Sequence, residues 1–293
     1  MASLPTDDDL ALAQHLAAHL REGISARHRA LIESAPWSQA HVIERGKDHR
    51  LVIVPGHLVV RIPRDPATNL ERQATLLDQL APQLPWQVPV ALSIVDGGVI
   101  QPYIAGTAHP NHSGDPDQLR DIVHTLSEVD TAGLALNQPF AQRGGLTPQK
   151  VTRLAKMPDP PLPDFAQFIA DVAELTHTWT QEGPFGLVHG DLAGHNMLWL
   201  QDPWRLNGVL DWDQASRWDP ALNPAILSLW HGAGLLPQIC SSPSELVHAR
   251  VWSASMALES IENALRRQPP ASAFRRLMRK TVPRLEAAQQ ALR

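Results

Sequence analysis

The sequence predicts an α+β fold, with a small antiparallel β-sheet in the N-terminal part and a larger, mostly helical C-terminal part. Short apolar runs in the N-terminal part, such as residues 51–54 and 58–62 on either side of a Pro-Gly turn, are typical of consecutive antiparallel strands. Apolar residues in the C-terminal part recur every three or four positions, as in residues 117–129, which is typical of amphipathic helices. The 293 residues, of which 43% are hydrophobic, suffice for two such parts with a sizeable core.

The N-terminal part begins with a helix that Asp7 or Asp8 can cap and that Gly23 ends. Its leucines recur every four residues from Leu12 to Leu20, so that they lie on one face of the helix. Turn residues and changes of period separate the runs that follow. In chain order we predict a helix over residues 25–34, strands over 41–44, 51–54 and 58–62, a helix over 69–80, and strands over 88–95 and 98–104.

The C-terminal part is predicted to contain helices over residues 117–129 and 165–179, and three more that begin near residues 220, 244 and 271. The stretch 133–163 has no clear period and gathers prolines near its end, which predicts an irregular loop. We therefore expect an N-terminal lobe of residues 1–104 and a C-terminal lobe of residues 105–293. A cleft between two such lobes is the expected ligand site.

Composition and charge narrow the classes of partner. The net charge is −5 and no basic patch dominates, so nucleic acid is not an expected partner. The single cysteine, Cys240, excludes a disulfide framework and a cysteine-based zinc site. Asp7-Asp8-Asp9 stands where a signal peptide would carry positive charge, and no run reaches 18 uninterrupted apolar residues. We expect a cytoplasmic protein without a membrane partner; its oligomeric state stays open.

Two apolar runs of the C-terminal part are followed by acidic and amide side chains. The first leads into His189-Gly190-Asp191, with Asn196 five residues after Asp191, and the second ends at Asp211, fifteen residues further on. A carboxylate such as Asp191 can accept the proton of a substrate hydroxyl during phosphoryl transfer. Amide and carboxylate oxygens such as those of Asn196 and Asp211 are ligands that Mg²⁺ prefers. The alternative is a pair of tight turns in which these side chains bond their own backbone.

The motif H-G-D-x-x-x-x-N, followed by Leu210-Asp211-Trp212-Asp213, resembles the aminoglycoside phosphotransferase and choline kinase superfamily, relatives of the protein kinases. The resemblance covers residues 43–229, and the run around Arg61 also resembles the macrolide kinase branch. It implies a protein-kinase-like two-lobe fold. It also implies ATP- or GTP- and Mg²⁺-dependent phosphorylation of a hydroxyl group on a small molecule, with antibiotics among the acceptors to be considered.

The resemblance implies a role for each residue that matches a family motif. Asp191 corresponds to the catalytic base, and Asn196 and Asp211 to the metal ligands. Arg61 corresponds to the basic residue of the third strand, which holds the α and β phosphates, and an Arg can bind phosphate oxygens in a bidentate way. The residues implied in nucleotide binding are Gly46, Arg61, Gln73, Gln101, Tyr103 and Ile104, the last three through a hinge that offers backbone groups to the base.

The chain departs from the family pattern at three places. Gln73 stands where the helix after the third strand normally carries a Glu that pairs with the basic residue. Asn223 stands where an Asp usually braces the catalytic loop. The phosphate-covering loop holds one glycine, Gly46, and no Walker-type P-loop motif occurs in the sequence.

Two other functions remain as alternatives to a small-molecule kinase. Gln73 and the short phosphate loop favour a non-catalytic, kinase-like protein that binds a nucleotide or a small molecule. The spacing of His189, Asp191 and His195 permits a metal-dependent hydrolase with two histidine ligands, although no further histidine pair supports it. The sequence does not name the acceptor, and it does not decide between ATP and GTP.

Overall fold

The computed structural model describes residues 4–44, 48–95, 97–140 and 145–293. Gly46 of the predicted phosphate loop lies outside the described residues. The described chain forms two compact units. The first unit takes its residues from 1–108, 133–135 and 195–212, and the second from 109–132, 136–194 and 213–293. The division predicted between residues 104 and 105 stays a prediction.

The first unit is built on an antiparallel sheet of five strands, which confirms the predicted β-rich N-terminal part. The strand order is β1-β2-β3-β5-β4. The elements up to residue 108 are α1 (Asp7–Ala18), α2 (Ala26–Glu33), β1 (His41–Ile43), β2 (His49–Val54), β3 (Leu58–Pro63), α3 (Leu70–Leu80), β4 (Ser93–Val95) and β5 (Gly98–Pro102).

Helix α1 begins one residue earlier than predicted because Thr6, not Asp7 or Asp8, is its N-cap. The Thr6 hydroxyl accepts from the Asp9 amide at 3.3 Å, and the Asp9 carboxylate accepts from the Thr6 amide at 2.7 Å. This reciprocal capping box satisfies two amides that the helix itself leaves open. Asp9 is buried and also pairs with Arg50 of β2 at 2.6 Å, so the cap fixes the helix to the sheet.

Strands β2 and β3 present two different faces because successive side chains of a strand point to opposite sides. One face is fully buried against the N-terminal helices and carries Val52, Val54, Leu58 and Val60. Each such side chain contributes about 1.5–3 kcal/mol through burial. The opposite face carries Leu51, Ile53, Val59 and Arg61, and the register pairs Leu51 with Arg61 and Ile53 with Val59.

The strand predicted over residues 88–95 forms only at residues 93–95. Pro89 has no amide hydrogen and cannot donate to a neighbouring strand, which prevents the longer strand. Its carbonyl instead accepts a hydrogen bond from the Gln101 side chain at 2.7 Å. The strand predicted over residues 98–104 likewise ends at Pro102. The chain therefore leaves the sheet before Tyr103 and Ile104.

Helices dominate the rest of the chain, as predicted. The elements after residue 108 are α4 (Pro116–Ser127), α5 (Pro148–Ala155), α6 (Phe165–Glu182), β6 (Gly186–Val188), β7 (Met197–Leu200), β8 (Arg205–Val209), β9 (Ser216–Trp218), α7 (Leu222–His231), α8 (Leu236–Ile239), α9 (Pro243–Arg267) and α10 (Ala271–Ala291). Strands β6 and β9 form one antiparallel pair, and β7 and β8 form another. None of the helices formed by the described residues has the length and apolar character needed to span a bilayer.

The core of the second unit lies among helices α6, α9 and α10. Its buried side chains include Phe168 and Val172 of α6 and Leu258 and Ile261 of α9. Helix α5 lies in the stretch predicted to be an irregular loop, so that prediction was wrong in part. The signal was present in the sequence, because Thr147 caps this helix and a proline occupies its first position.

Candidate functional site

The sheet face opposite the core of the first unit borders a cavity of about 380 Å³. That volume lies within the range of small-molecule and cofactor sites. The cavity is lined on its apolar side by Leu51, Ile53, Val59, Ile104, Leu198 and Leu210. Three polar residues singled out from the sequence, Arg61, Asn196 and Asp211, line the same cavity. The structure therefore brings together residues that lie up to 150 positions apart in the sequence.

The Arg61 guanidinium is buried and engages several side chains. It donates to the Gln73 carbonyl oxygen at 3.4 Å and to His49 Nδ1 at 3.1 Å, and it lies 3.7 Å from the Asp211 carboxylate. Gln73 thus faces Arg61, as the resemblance to the family implied, through an amide instead of a carboxylate. His49 was not predicted. Its position two residues before Leu51 on the same strand face is the signal that could have identified it.

Asn196 and Asp211 flank the same end of the β7–β8 hairpin. Met197 pairs with Val209 in the strands, and the Leu210 amide donates to the Asn196 carbonyl at 2.8 Å. Asn196 is buried, whereas 46% of the Asp211 side chain is exposed. Asp211 has a φ of 61°, a left-handed conformation that is uncommon for residues other than glycine and often found at functional sites. Both side chains offer oxygen donors.

Among the described residues, no group of three or more His, Cys, Asp or Glu side chains is arranged to hold a metal ion. The pair formed by Asn196 and Asp211 contains one amide and one carboxylate, which is a donor set that suits Mg²⁺ when a substrate phosphate and waters complete the coordination. The chemistry of the two residues thus fits the predicted metal site.

The predicted hinge residues also border the cavity, and each of them makes different contacts within the fold. The Gln101 side chain is buried and committed to the Pro89 carbonyl, and the Tyr103 amide donates to the His57 carbonyl at 3.0 Å. Ile104 is buried against Gly208, where an added Cβ would approach the Ile104 side chain to 2.5 Å. A glycine at position 208 therefore gives Ile104 the room to face the cavity. Contact of the hinge with a nucleotide base stays a prediction.

The second unit holds the loop that contains Asp191. His189 is fully buried, and its Nδ1 accepts from the Asp191 amide at 3.2 Å. The Asp191 carbonyl in turn accepts from the Ala193 amide at 2.7 Å. These bonds fix the backbone on both sides of the Asp191 side chain, which is partly exposed. His189 thus braces the loop, and His195 is exposed.

Asn223 braces the loop that contains Asp191, at the position where the family resemblance implied an Asp. It is fully buried, accepts from the His189 amide at 3.1 Å and donates to the Leu187 carbonyl at 2.8 Å. The amide group serves both as acceptor and as donor, which a carboxylate cannot do. In this chain Asn223 therefore ties the start of α7 to strand β6 and to the first residue of the loop.

Replacing Asn223 by Asp should destabilise the protein, even though Asp is the usual family residue at this place. The carboxylate would leave the buried Leu187 carbonyl without its donor and oppose it with a negative charge. We expect the free energy of unfolding to fall by about 1–3 kcal/mol, measured by chemical denaturation. The matched control is Asn207→Asp, because Asn207 donates to the Ala105 carbonyl at a solvent-accessible position. Equal stability of Asn223→Asp and wild type would contradict the assignment.

Two glycines shape the loop around Asp191. Gly190 has a φ of 84°, and an added Cβ would approach Gln214 to 2.6 Å. Gly194 lies against the Trp230 indole, which leaves no room for an added Cβ. The Trp230 indole also donates to the His109 carbonyl at 2.8 Å, so its position is fixed from the other side. The sequence gave no signal for this contact.

Asp219 braces the second unit instead of adding charge to a surface. It is fully buried, and its carboxylate accepts from the Ala221 amide at 3.0 Å, from His248 Nδ1 at 2.8 Å and from the Trp252 indole at 2.7 Å. Since His248 and Trp252 both lie on α9, Asp219 joins the segment before α7 to that helix. Every oxygen of this carboxylate is therefore engaged in the fold.

Comparison with known proteins places the chain among phosphotransferases. The sequence profile of the phosphotransferase enzyme family matches residues 39–240. The viomycin phosphotransferase of Streptomyces vinaceus is 40% identical over 55 residues, which cover 18% of this chain and 19% of that protein. The matched segment thus spans about a fifth of the length of the curated relative.

Solved structures show the same fold over nearly the whole chain. The macrolide 2'-phosphotransferase MphH of Brachybacterium faecium, as apoenzyme, is 21% identical, with a TM-score of 0.59 over 94% of this chain and 98% of that one. The ternary complex of APH(2'')-IIa with streptomycin and ATP is 15% identical, with a TM-score of 0.54 over 90% of this chain and 99% of that one. At these identities the likeness establishes the fold, and it confirms the predicted α+β fold of the protein-kinase type.

Proposed function

Because the chain belongs to the phosphotransferase enzyme family, we propose that it transfers the γ-phosphoryl group of a nucleoside triphosphate to a hydroxyl group of a small molecule. Family membership confirms the resemblance found in the sequence and the prediction of a phosphotransferase. The alcohol group as acceptor is part of the proposal. The observation that carries the fuller proposal is the lining of one cavity by Arg61, Asn196 and Asp211.

The cavity of the first unit suits a nucleotide in shape and chemistry. Its apolar residues come from β2, β3 and the chain around the β7–β8 hairpin, and such walls suit the faces of a purine base. The Arg61 guanidinium supplies charge-assisted hydrogen bonds for phosphate oxygens. ATP is the nucleotide we propose, with GTP as the alternative, because the solved structures of relatives include complexes with ATP and with GDP. We propose a cytoplasmic location, where ATP is available.

Asn196 and Asp211 would hold Mg²⁺ in the proposed enzyme. When bound, the ion would offset the negative charge of the β and γ phosphates during transfer. The proposal is supported by the oxygen donors of both side chains and by the Leu210–Asn196 hydrogen bond, which fixes their two segments against each other. It does not depend on any further acidic ligand from the protein.

Asp191 would act as the catalytic base of the second unit. Its carboxylate would orient the acceptor hydroxyl and accept the proton as the new oxygen–phosphorus bond forms and the bond to the nucleoside diphosphate breaks. The fixed backbone around Asp191 supports this role, because positioning and electrostatics provide most of the rate in phosphoryl transfer.

A coupled assay for nucleoside diphosphate release, run over a library of acceptors, tests the proposed function. Macrolides, aminoglycosides and viomycin-like peptides come first, since these are the compounds named for the relatives. Choline-like amines, amino-acid alcohols and sugars follow. We expect one acceptor class to stimulate release with ATP and Mg²⁺ and to gain one phosphoryl group by mass spectrometry. Tight nucleotide binding without transfer to any acceptor would favour the non-catalytic binding protein. That alternative is motivated by the neutral Gln73 amide, which stands opposite Arg61 in place of a carboxylate.

Replacing Arg61 by Met should weaken ATP binding by about 10- to 100-fold, the effect of losing one or two hydrogen bonds between charged groups. Isothermal titration with ATP and Mg²⁺ measures the change. Arg64→Met is the matched control, because Arg64 pairs with Glu44 at 3.0 Å and does not line the cavity. ATP affinity that is equal in the Arg61→Met variant and the wild type would remove Arg61 from the phosphate site.

A further inference from the structure

A second cavity, of about 40 Å³, lies within the second unit and is bordered by aromatic rings. Phe140 and Trp252 each meet the Trp218 ring edge-on, with centroid distances of 4.5 Å and 5.1 Å. Apolar side chains of α7, including Leu222 and Ile226, also line it, together with the uncharged polar residues Gln138, Gln214 and Ser255. The volume admits a small substituent and not a whole ring system. Such walls favour apolar groups of matching size.

One polar group in this wall has no partner among the residues that the structure describes. Ser216 is 1% exposed, and its hydroxyl forms no hydrogen bond within the part of the chain that the structure describes. A buried hydroxyl without a partner is costly, and each such group in a native protein calls for an explanation. Ser216 lies on β9 directly opposite Val188 of β6, and both residues line the cavity. A ligand oxygen in the cavity would satisfy the hydroxyl.

The charge at the cavity is already balanced by the protein. Glu259 is the one acidic residue among the described residues of the lining. Its carboxylate pairs with Lys150 at 2.8 Å, and Lys150 also donates to the Gly145 carbonyl at 2.6 Å. Both side chains are largely buried, so the pair is held in place. A cation entering the cavity would compete with Lys150 for the same carboxylate.

The cavity also touches the loop of the proposed base. Gly190 lines it, and Asp191 is the next residue, so that their Cα atoms are about 3.8 Å apart. We propose that the cavity is an acceptor subsite for a small, uncharged alkyl or alkoxy substituent, whose oxygen bonds the Ser216 hydroxyl. The inference rests on the proposed function and names the acceptor class. In such an acceptor, the group next to the phosphorylated hydroxyl is a neutral, apolar substituent and not a cationic amine.

Two small probes of the same shape test the preferred charge. 2-Propanol and isopropylammonium have the same carbon skeleton, but the first carries a neutral hydroxyl group and the second a cationic ammonium group. We expect 2-propanol to bind the full-length protein, as measured by saturation-transfer NMR titration, and isopropylammonium to bind at least about tenfold more weakly, because its charge loses water without gaining a free carboxylate. Equal binding of the two probes, or no binding of 2-propanol, would overturn the subsite.

The variant Ser216→Ala tests the hydroxyl. It should weaken 2-propanol binding about three- to tenfold, the effect of one neutral hydrogen bond. It should also raise the thermal midpoint of the ligand-free protein, since it removes a buried group without a partner. The matched control is Ser228→Ala, because Ser228 is also buried but donates to the Ala225 carbonyl at 2.7 Å. That variant should lose stability and bind the probe normally. Unchanged probe affinity in Ser216→Ala would overturn the role of the hydroxyl.

Kinetics separate this inference from the proposed function. With the acceptor identified by the library assay, Ser216→Ala should raise the acceptor KM about three- to tenfold while kcat stays near that of the wild type. An unchanged acceptor KM would overturn the subsite and leave phosphoryl transfer intact. Absence of transfer to every acceptor would overturn the proposed function, whereas probe binding is measured without turnover and is judged by itself.

Discussion

Replacement of Asp191 by Asn should lower kcat by about 10²- to 10⁴-fold, the usual contribution of a positioned general base. The variant keeps the size of the side chain and the backbone bonds to His189 and Ala193, so the loop keeps its conformation. It loses the carboxylate that orients the acceptor hydroxyl and accepts its proton. Steady-state kinetics with the acceptor from the library assay measures the change.

Nucleotide affinity should remain within about twofold of the wild type in the same variant, because Asp191 does not line the nucleotide cavity. The nucleotide cavity is lined by residues of the first unit, and Asp191 belongs to the second. Asp171→Asn serves as the control, since Asp171 is a partly exposed acid of the second unit that borders neither cavity. An Asp191→Asn enzyme with near-normal kcat would show that Asp191 is not the base.

The sequence could predict the parts of the site that have a local pattern. Alternation along β3 places Arg61 on the face opposite the buried Val60, and this depends only on the period of a strand. Asn196 and Asp211 are adjacent because they flank two short strands that pair as a hairpin. Spacing and residue type are enough for such inferences.

Contacts between distant segments had no such signal. Ser216 faces a cavity whose walls include side chains from α7 and α9. Only the packing of those helices shows that its hydroxyl has no hydrogen-bond partner among the described residues. The Trp230 indole packs directly on Gly194, where a side chain at position 194 would clash with it. This fit depends on both residues together, so neither position signals it alone. Local patterns failed for the same reason at β4, where Pro89 outweighed the apolar run around it.

Hydrogen bonds explain how Gln73 and Asn223, two departures from the family pattern, are accommodated in this chain. Gln73 accepts from Arg61 at 3.4 Å, and Arg61 divides its remaining donors between His49 and the region of Asp211. Several partners thus orient the guanidinium, where the family resemblance implied a single Glu. Asn223 similarly replaces a carboxylate with a group that accepts and donates at once. Both side chains thus make hydrogen bonds to their expected neighbours and carry less negative charge than the residues they replace.

Asp211→Asn should reduce kcat/KM by at least about 10²-fold, because stabilisation of phosphate charge by a bound metal ion is worth several kcal/mol and each 1.36 kcal/mol is tenfold in rate. Asn is well suited as a substitute, since it tolerates the left-handed conformation that Asp211 adopts at a φ of 61°. The variant should therefore fold normally, and the loss of activity would report on the carboxylate and not on the backbone.

A direct readout of the proposed metal site is the dependence of ATP affinity on Mg²⁺. In the wild type, calorimetric titration should show ATP binding that strengthens with Mg²⁺, and Asp211→Asn should lose most of that dependence. Asp213→Asn is the matched control two residues away, and it should keep the dependence, because Asp213 does not line the nucleotide cavity. The variant also removes the carboxylate 3.7 Å from Arg61, so binding of ATP without Mg²⁺ should stay equal or rise as the guanidinium is released for phosphate. A variant whose ATP affinity still responds fully to Mg²⁺ would exclude Asp211 as a ligand, whereas a lost Mg²⁺ response with intact metal-free binding would assign the carboxylate to the metal.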